Sequence, residues 1–353
     1  MSIDSGRVKT VGLEYPWHRL VGGTAIVAVI GILALSQGAV EMSPWAVLEI
    51  IVSRIPGLHI VQDWPSSWET IIWDLRFPRI MLAGTVGASL ALSGATYQGL
   101  FRNPLADPFL IGVASGAGLG ASIVLVSGLT TEYLGISVLP IAAFIGAILA
   151  VSIAYAIAKN SEGLPLANLL LAGVVIAALA SAMTTLLMIR SDPDLRPVLS
   201  WLLGGFSAAE WNHTFLILPY LLPSVIVSIV FGRILNVMQL DEDYAKQLGV
   251  SVESTKLLLI TSATLATAAA VSFSGLIGFV GLISPHAVRI LWGVDYRFLL
   301  PMAAIVGAGF MILADLAARV VVSPSELPVG IVTAFVGAPL FLFLLRRQRR
   351  VQM

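Results

Sequence analysis

Cysteine is absent from this 353-residue chain, which excludes disulfides and thiolate metal sites. Charge is scarce. Asp, Glu, Lys and Arg make up 11% of residues, against about 25% in soluble domains. Acidic and basic residues balance at 20 each, so bulk charge points to no nucleic acid and no acidic partner. Catalytic signatures are missing as well: no G-x-x-x-x-G-K-[ST] loop, no H-E-x-x-H, no serine elbow and no carboxylate pair at helical spacing. His18, His59, His213 and His286 are scattered and fit interfacial polar positions better than a metal site. A membrane-embedded enzyme would need one of these constellations. Carboxylates are also nearly absent from the middle of apolar runs, which speaks against transport driven by a proton or sodium gradient.

What the chain has instead is apolar length. Hydrophobic residues reach 58% and the mean hydropathy is +0.94. Apolar runs of spanning length recur from end to end, as in an all-α, multi-spanning membrane protein. Ten spans fit, at roughly 18–38, 78–99, 106–128, 136–158, 165–189, 212–232, 255–273, 276–292, 298–319 and 327–345. The first 17 residues read as a polar cytosolic tail, since a secretory signal would begin its apolar region sooner. With the N-terminus inside, fourteen basic residues fall on inner segments, including every lysine and the terminal RRQRR, and six on outer ones. That predicts N-in and C-in. Residues 1–353 form one transmembrane domain, with a polar, helix-forming inner loop at about 233–254 and a tryptophan-rich outer segment at about 39–77.

Several segments carry more than hydropathy. RNPLADP, Arg102 to Pro108, breaks two spans with two prolines and opposite charges. Asn–Pro and Asp–Pro initiate turns, and Asp107 can cap the next helix; the alternative is a polar constriction at the inner mouth. Gly112, Gly116 and Gly120 form an i, i+4, i+8 stripe, as do Gly87, Ala91 and Ala95, which predicts close helix packing. Arg76 and Arg79 flank Pro78 at the outer start of the second span, either as headgroup anchors or as docking points for an acidic partner. Asp315 and Arg319 sit at i, i+4 and predict a local ion pair. In LDEDYAKQLGVS, Gly249 is placed to end a short helix, and Ala245 beside Leu248 suits close docking of a cytosolic partner. Met81, Tyr97, Gln98 and Phe101 are candidates to face a pore.

LRFPRI (75–80), SGATYQGLFRNPLADPFLIGVASGAGLGA (93–121), LLLAGV (169–174), WLLGGF (201–206), DYAKQLGVS (243–251), SGLIGFVGLISPHAVRIL (274–291), ADLAAR (314–319) and ELPVGIVTAFVGAPLFLFLL (326–345) occur in this order. With that order and topology, the chain resembles the permeases of vitamin B12 and iron-chelate ABC importers, the FecCD-type or type II importer group. The resemblance implies a ten-helix permease in a bacterial cytoplasmic (inner) membrane. It implies a pore shared with a second copy, two separate cytosolic ATPases that use ATP and Mg, and an extracytoplasmic substrate-binding protein. This chain would bind no cofactor and hydrolyse nothing. Asn103 and Leu105 match the family's cytoplasmic gate. Leu166 and Ala167 fall at its second gate, where vitamin B12 permeases carry small hydroxyl residues, so a more apolar constriction is implied. Tyr244, Ala245, Leu248 and Gly249 fall in the helix that fits a cleft on the ATPase. Arg76, Arg79 and Arg319 match positions that pair with glutamates of the binding protein. Iron-siderophore or haem is the first expectation for cargo, with cobalamin as an alternative; an ion-gradient-driven secondary transporter is the rival reading.

Overall fold

The computed structural model describes residues 15–56, 61–127, 132–133, 136–161, 163–190 and 195–351. His59, Arg7 and Lys9 lie outside the described residues, as do the side chains of the terminal RRQRR. The chain is a bundle of helices: α1 (Trp17–Ser36), α2 (Pro44–Ser53), α3 (Ser66–Thr70), α4 (Phe77–Leu100), α5 (Val113–Ser127), α6 (Val138–Ala158), α7 (Leu166–Arg190), α8 (Arg196–Leu203), α9 (Trp211–Met238), α10 (Glu242–Gln247), α11 (Val252–Ser274), α12 (Val280–Trp292), α13 (Tyr296–Val320) and α14 (Val329–Val351). A two-residue antiparallel ladder joins Glu132–Tyr133 to Ile136–Ser137.

Each of the ten apolar segments read from the sequence falls on a helix, but among the described residues seven are long and apolar enough to cross a membrane. For two of the remaining three the cause is local. The segment predicted at 106–128 begins as a 3-10 turn, Pro108–Ile111, and its α-helix starts only at Val113. The one predicted at 276–292 opens irregularly, with Gly275 at φ +69 and Phe279 at φ +69, leaving α12 with 13 residues. Thirteen helical residues reach roughly 20 Å, short of a hydrocarbon core about 30 Å thick. Non-helical backbone at such depth survives only where protein or a cavity surrounds it. Another boundary moves the opposite way. The second span begins well before residue 78: α3 runs through a π-helical stretch, Ile71–Arg76, directly into α4, so the apolar helix extends over Ser66–Leu100.

α4 is the central helix, packed by α9, α11, α12 and α13. Glycine makes this possible. A Cβ at Gly87 would collide with the Gly307 carbonyl of α13, and one at Gly94 with the Gly281 carbonyl of α12. Gly116 and Gly120 likewise lie against Gly146 and Ala142 of α6. Gly112 does not join them. It takes φ +94 and closes the 3-10 turn, so it is a chain-reversal glycine rather than a packing one. Lipid supplies no hydrophobic drive between helices, so such backbone approaches and interhelical hydrogen bonds hold the bundle. Ser93 Oγ donates to the Ala263 carbonyl at 3.0 Å, and Tyr97 Oη lies 2.7 Å from Thr264 Oγ1. Tyr97 and Gln98, read as pore candidates, are buried inside the protomer instead; Gln98 Nε2 donates to the Gly281 carbonyl. Phe101 stacks on Tyr97, while Met81 is exposed.

Contacts sort the loops into two ends. At one end, Gln239 Nε2 donates to the Gly99 carbonyl, Tyr296 N–H donates to Asn236, and Asp295 caps α13 through the Arg297 N–H. The hydrogen-bonded Arg297 guanidinium holds the Asp295 carboxyl at about 2. At the other end, Trp211 Nε1 donates to the Trp73 carbonyl within an aromatic cluster with Phe77. Replacing Gly87 by Ala is expected to cost about 1–3 kcal/mol by overpacking and to lower the melting temperature in detergent. Gly22→Ala, where nothing lies within 4 Å, should leave it unchanged.

Candidate gating, coupling and outer-face sites

The turn after α4 is held by its own backbone and by one amide side chain. Asn103 N–H donates to the Gln98 carbonyl at 3.1 Å, and Ala106 N–H to the Asn103 carbonyl at 3.0 Å. Asn103 Oδ1 accepts the Leu105 N–H at 2.9 Å, an Asx turn. Arg102 adopts φ +49, a left-handed conformation that a non-glycine residue holds only where its surroundings impose it. Asp107 Oδ1 accepts the Phe109 N–H at 2.8 Å, the cap that its place before Pro108 predicts. Ala106 is buried, whereas Asn103 and Leu105 are exposed at the tip. The two therefore differ in kind: Asn103 shapes the turn, and Leu105 offers the free apolar side chain.

The second pair lies at the start of α7, with Leu166 half-buried and Ala167 exposed. The short α10 lies at the same end. Asp241 caps it through the Asp243 N–H at 2.7 Å. Its C-terminus closes as a Schellman motif: Val250 N–H donates to the Ala245 carbonyl, Gly249 N–H to the Lys246 carbonyl, and Gly249 takes φ +84. Tyr244 and Leu248 project outward and Gly249 is exposed. Ala245 is 0% exposed and packs within its own protomer, unlike its neighbours on α10.

At the opposite end, Arg76, Arg79 and Arg319 converge on α1 and α13. Asp315, 1% exposed, receives Arg79 at 2.9 Å and Arg319 at 3.1 Å, so the predicted i, i+4 pair exists with a second arginine added. Arg79 also pairs with Glu326 at 2.9 Å. Arg319 donates to the Gln37 and Ala34 carbonyls, and Arg76 to those of Leu35 and Val40. These two cations cap the C-terminus of α1, where orphan carbonyls and the helix dipole favour positive charge. Arg76 is buried and donates to carbonyls of its own protomer. The π-helical continuity from α3 to α4 turns it inward, and nothing in the local sequence signals that turn. A recess of about 380 Å³ lies beside this network, lined by Arg79, Ser200, Phe206, Ser207, Ser274 and Glu326.

The FecCD transport family model matches residues 26–347, most of the chain. The chain belongs to the FecCD transport family. Among FecCD relatives, it is 45% identical to the cobalamin import system permease protein BtuC of Halobacterium salinarum, over 86% of this chain and 79% of that protein. It is 43% identical to the vitamin B12 import system permease protein BtuC of Yersinia pseudotuberculosis, over 82% and 87%. It is 41% identical to YvrB of Bacillus subtilis, named an uncharacterized ABC transporter permease, over 93% of each. A solved structure described as an inward-facing conformation of a metal-chelate type ABC transporter superposes with a TM-score of 0.81 at 32% identity, covering 94% of this chain and 99% of that one.

As a FecCD permease the chain is an integral membrane protein of several spans. Among the described residues, no group of three or more His, Asp or Glu side chains is placed to hold a metal. Removing a buried partner from an ion network costs about 3–5 kcal/mol. Asp315→Ala is therefore expected to lower thermal stability in detergent strongly, because it leaves Arg79 and Arg319 without their buried carboxylate. Glu326→Gln, at the exposed edge, is expected to shift it by less than about 1 kcal/mol.

Proposed function

We propose that this chain is the permease subunit of an ATP-driven importer whose cargo is a corrinoid of the cobalamin type. The observation that carries the cargo is the 43–45% identity, over more than four-fifths of the chain, to permeases named for cobalamin and vitamin B12. This reading moves cobalamin ahead of the iron-siderophore and haem expectations, which remain outcomes of the test. Two copies would enclose the pore. On this reading ten segments cross or enter the membrane with both termini inside, and the shorter α5 and α12 are shielded in the assembled pore.

The end holding Asn103, Leu105, Leu166, Ala167 and α10 is then cytosolic. Leu105 and Leu166 supply apolar bulk to close the path, with Asn103 and Ala167 setting their approach. A separate ATPase subunit grips the exposed Tyr244, Leu248 and Gly249, and its closure on ATP moves α10. Apolar gates and weak wall contacts suit a bulky chelate, because a tight site would trap it. The Arg79 end faces outward. Arg79 is assigned the docking contact, because its partner Glu326 is exposed and a glutamate of a binding protein can take that place. Arg76 and Arg319 are its buried supports.

The test is reconstitution in proteoliposomes with an ATPase subunit and a substrate-binding protein from the same organism. Uptake of cyanocobalamin that requires ATP and stops with vanadate is expected; uptake driven by an ion gradient without ATP overturns the reading, and preference for a ferric siderophore or haem overturns the cargo alone. Leu248→Glu is expected to weaken ATPase association on the order of tenfold with an unchanged melting temperature. Ala245→Glu should lower the melting temperature, since it forces a charge into a buried position.

A further inference from the structure

One buried charge lies outside these sites. Lys256, on α11, is 3% exposed. Its ammonium has three donors, and they reach three separate segments. Nζ lies 2.7 Å from Glu242 Oε2 on α10, 3.0 Å from Glu253 Oε1 on its own helix, and 3.3 Å from the Leu164 carbonyl just before α7. Glu253 closes the circuit, its Oε2 accepting the Leu164 N–H at 2.7 Å. The approach is shaped to fit. Gly163 sits at φ +131 against the Glu253 carboxylate, where a Cβ would come within 2.7 Å of the carboxyl carbon. Asn160 and Gly163 hydrogen-bond to each other and fold the preceding turn back on itself. Leu164 is thus clamped through both its N–H and its carbonyl, two residues before Leu166.

The elements so joined differ in how firmly they are otherwise held. α11 is deeply buried and α7 is not: 67% of the apolar window of α11 is buried inside the protomer, against 28% for α7. α10 is a six-residue helix with an outward face. Charge-assisted hydrogen bonds are stronger and more geometrically specific than neutral ones, so they tie these thinly packed pieces to the buried α11. A lysine with no neighbouring function needs no partner on three segments, and burying it is costly unless each partner stays in place.

We propose that Lys256 is the positioning residue that passes displacement of α10 to the start of α7, and so to Leu166 and Ala167. This deepens the permease reading and rests on it. Glu242→Gln tests the link, because it weakens the α10 strand of the hub alone and Glu242 is part-exposed, so the fold tolerates it. Asp243→Asn is the control: the same charge change on the same helix, at a residue that pairs with exposed Lys246. Hydrogen exchange on the purified chain in lipid nanodiscs is expected to quicken about tenfold at the 164–169 amides in Glu242→Gln, the scale of one lost charge-assisted hydrogen bond, and to stay unchanged there in Asp243→Asn. In the reconstituted complex, Glu242→Gln should cut uptake per ATP hydrolysed at least about threefold with ATPase association unchanged, and Glu242→Asp should restore part of it. Unchanged exchange at 164–169, or an equal change in both variants, overturns the link. An unmodified complex without ATP-dependent uptake overturns the permease reading, and the exchange comparison still decides whether α10 and α7 are joined.

Discussion

Between lipid-facing helices water cannot drive association, so the bundle stands on places where glycine removes the side chain between two backbones. Gly87 against Gly307 and Gly94 against Gly281 bring α13 and α12 onto α4. Once those backbones touch, the rest follows geometrically. Tyr97 and Gln98 end up inside the protomer, within reach of Thr264 and the Gly281 carbonyl. Gly99 meets the Tyr296 ring and the Gln239 amide, which fixes where α4 ends and where the Arg102–Asp107 turn begins. That turn is presented by a rigid helix and by a locally closed Asx turn, so its exposed Leu105 is held on a stiff support.

Charge then settles at the two ends, in two different arrangements. At the Arg79 end a single buried carboxylate, Asp315, gathers two arginines, while Arg76 and Arg319 together cap α1. Apart from the exposed Glu326, the partners there are backbone carbonyls of the α1 end and the buried Asp315 carboxylate. At the opposite end Lys256 gathers two part-exposed carboxylates and a loop carbonyl. Its partners are wetter, and two of the segments it joins are thinly packed. The first arrangement makes a rigid frame and the second a flexible joint.

Much of this was legible in the residues, wherever the signal was local. Asp107 before Pro108, Asp315 four residues from Arg319 and Gly249 after an amphipathic run each state their contact within one turn of backbone, and the structure shows all three. Hydropathy likewise placed all seven helices that are long and apolar enough to span, among the described residues, because burial in lipid writes itself into composition over twenty residues. What failed was non-local or conformational. The i, i+4, i+8 stripe placed Gly112 with Gly116 and Gly120, but a spacing pattern cannot see that Gly112 takes φ +94 and stops a 3-10 turn. Arg76 looked like an outer anchor because Pro78 suggested a helix start; proline is equally at home in the first turn after a π-helical stretch, and continuity from Ser66 turned the side chain inward. Ala245 and Leu248 are both apolar on a short helix, and only the packing against α9 and α11 decides which of them faces out. Lys256 was counted as one more inner positive charge, since its three partners lie 3, 14 and 92 positions away.

The difference between the ends bears on how a permease without catalytic groups of its own can be driven. A motion that begins at α10 must reach α7 without dismantling the bundle, and α4, α11 and α13 are locked to one another by backbone contact and buried hydrogen bonds. Motion through that core would cost the close packing on which the whole assembly depends. The route left is along the surface of the core, from α10 through Glu242 and Lys256 to Leu164 and onward to α7, which has little apolar surface committed to its own protomer. The Arg79 end, closed on Asp315, supplies the fixed frame against which such a movement is made.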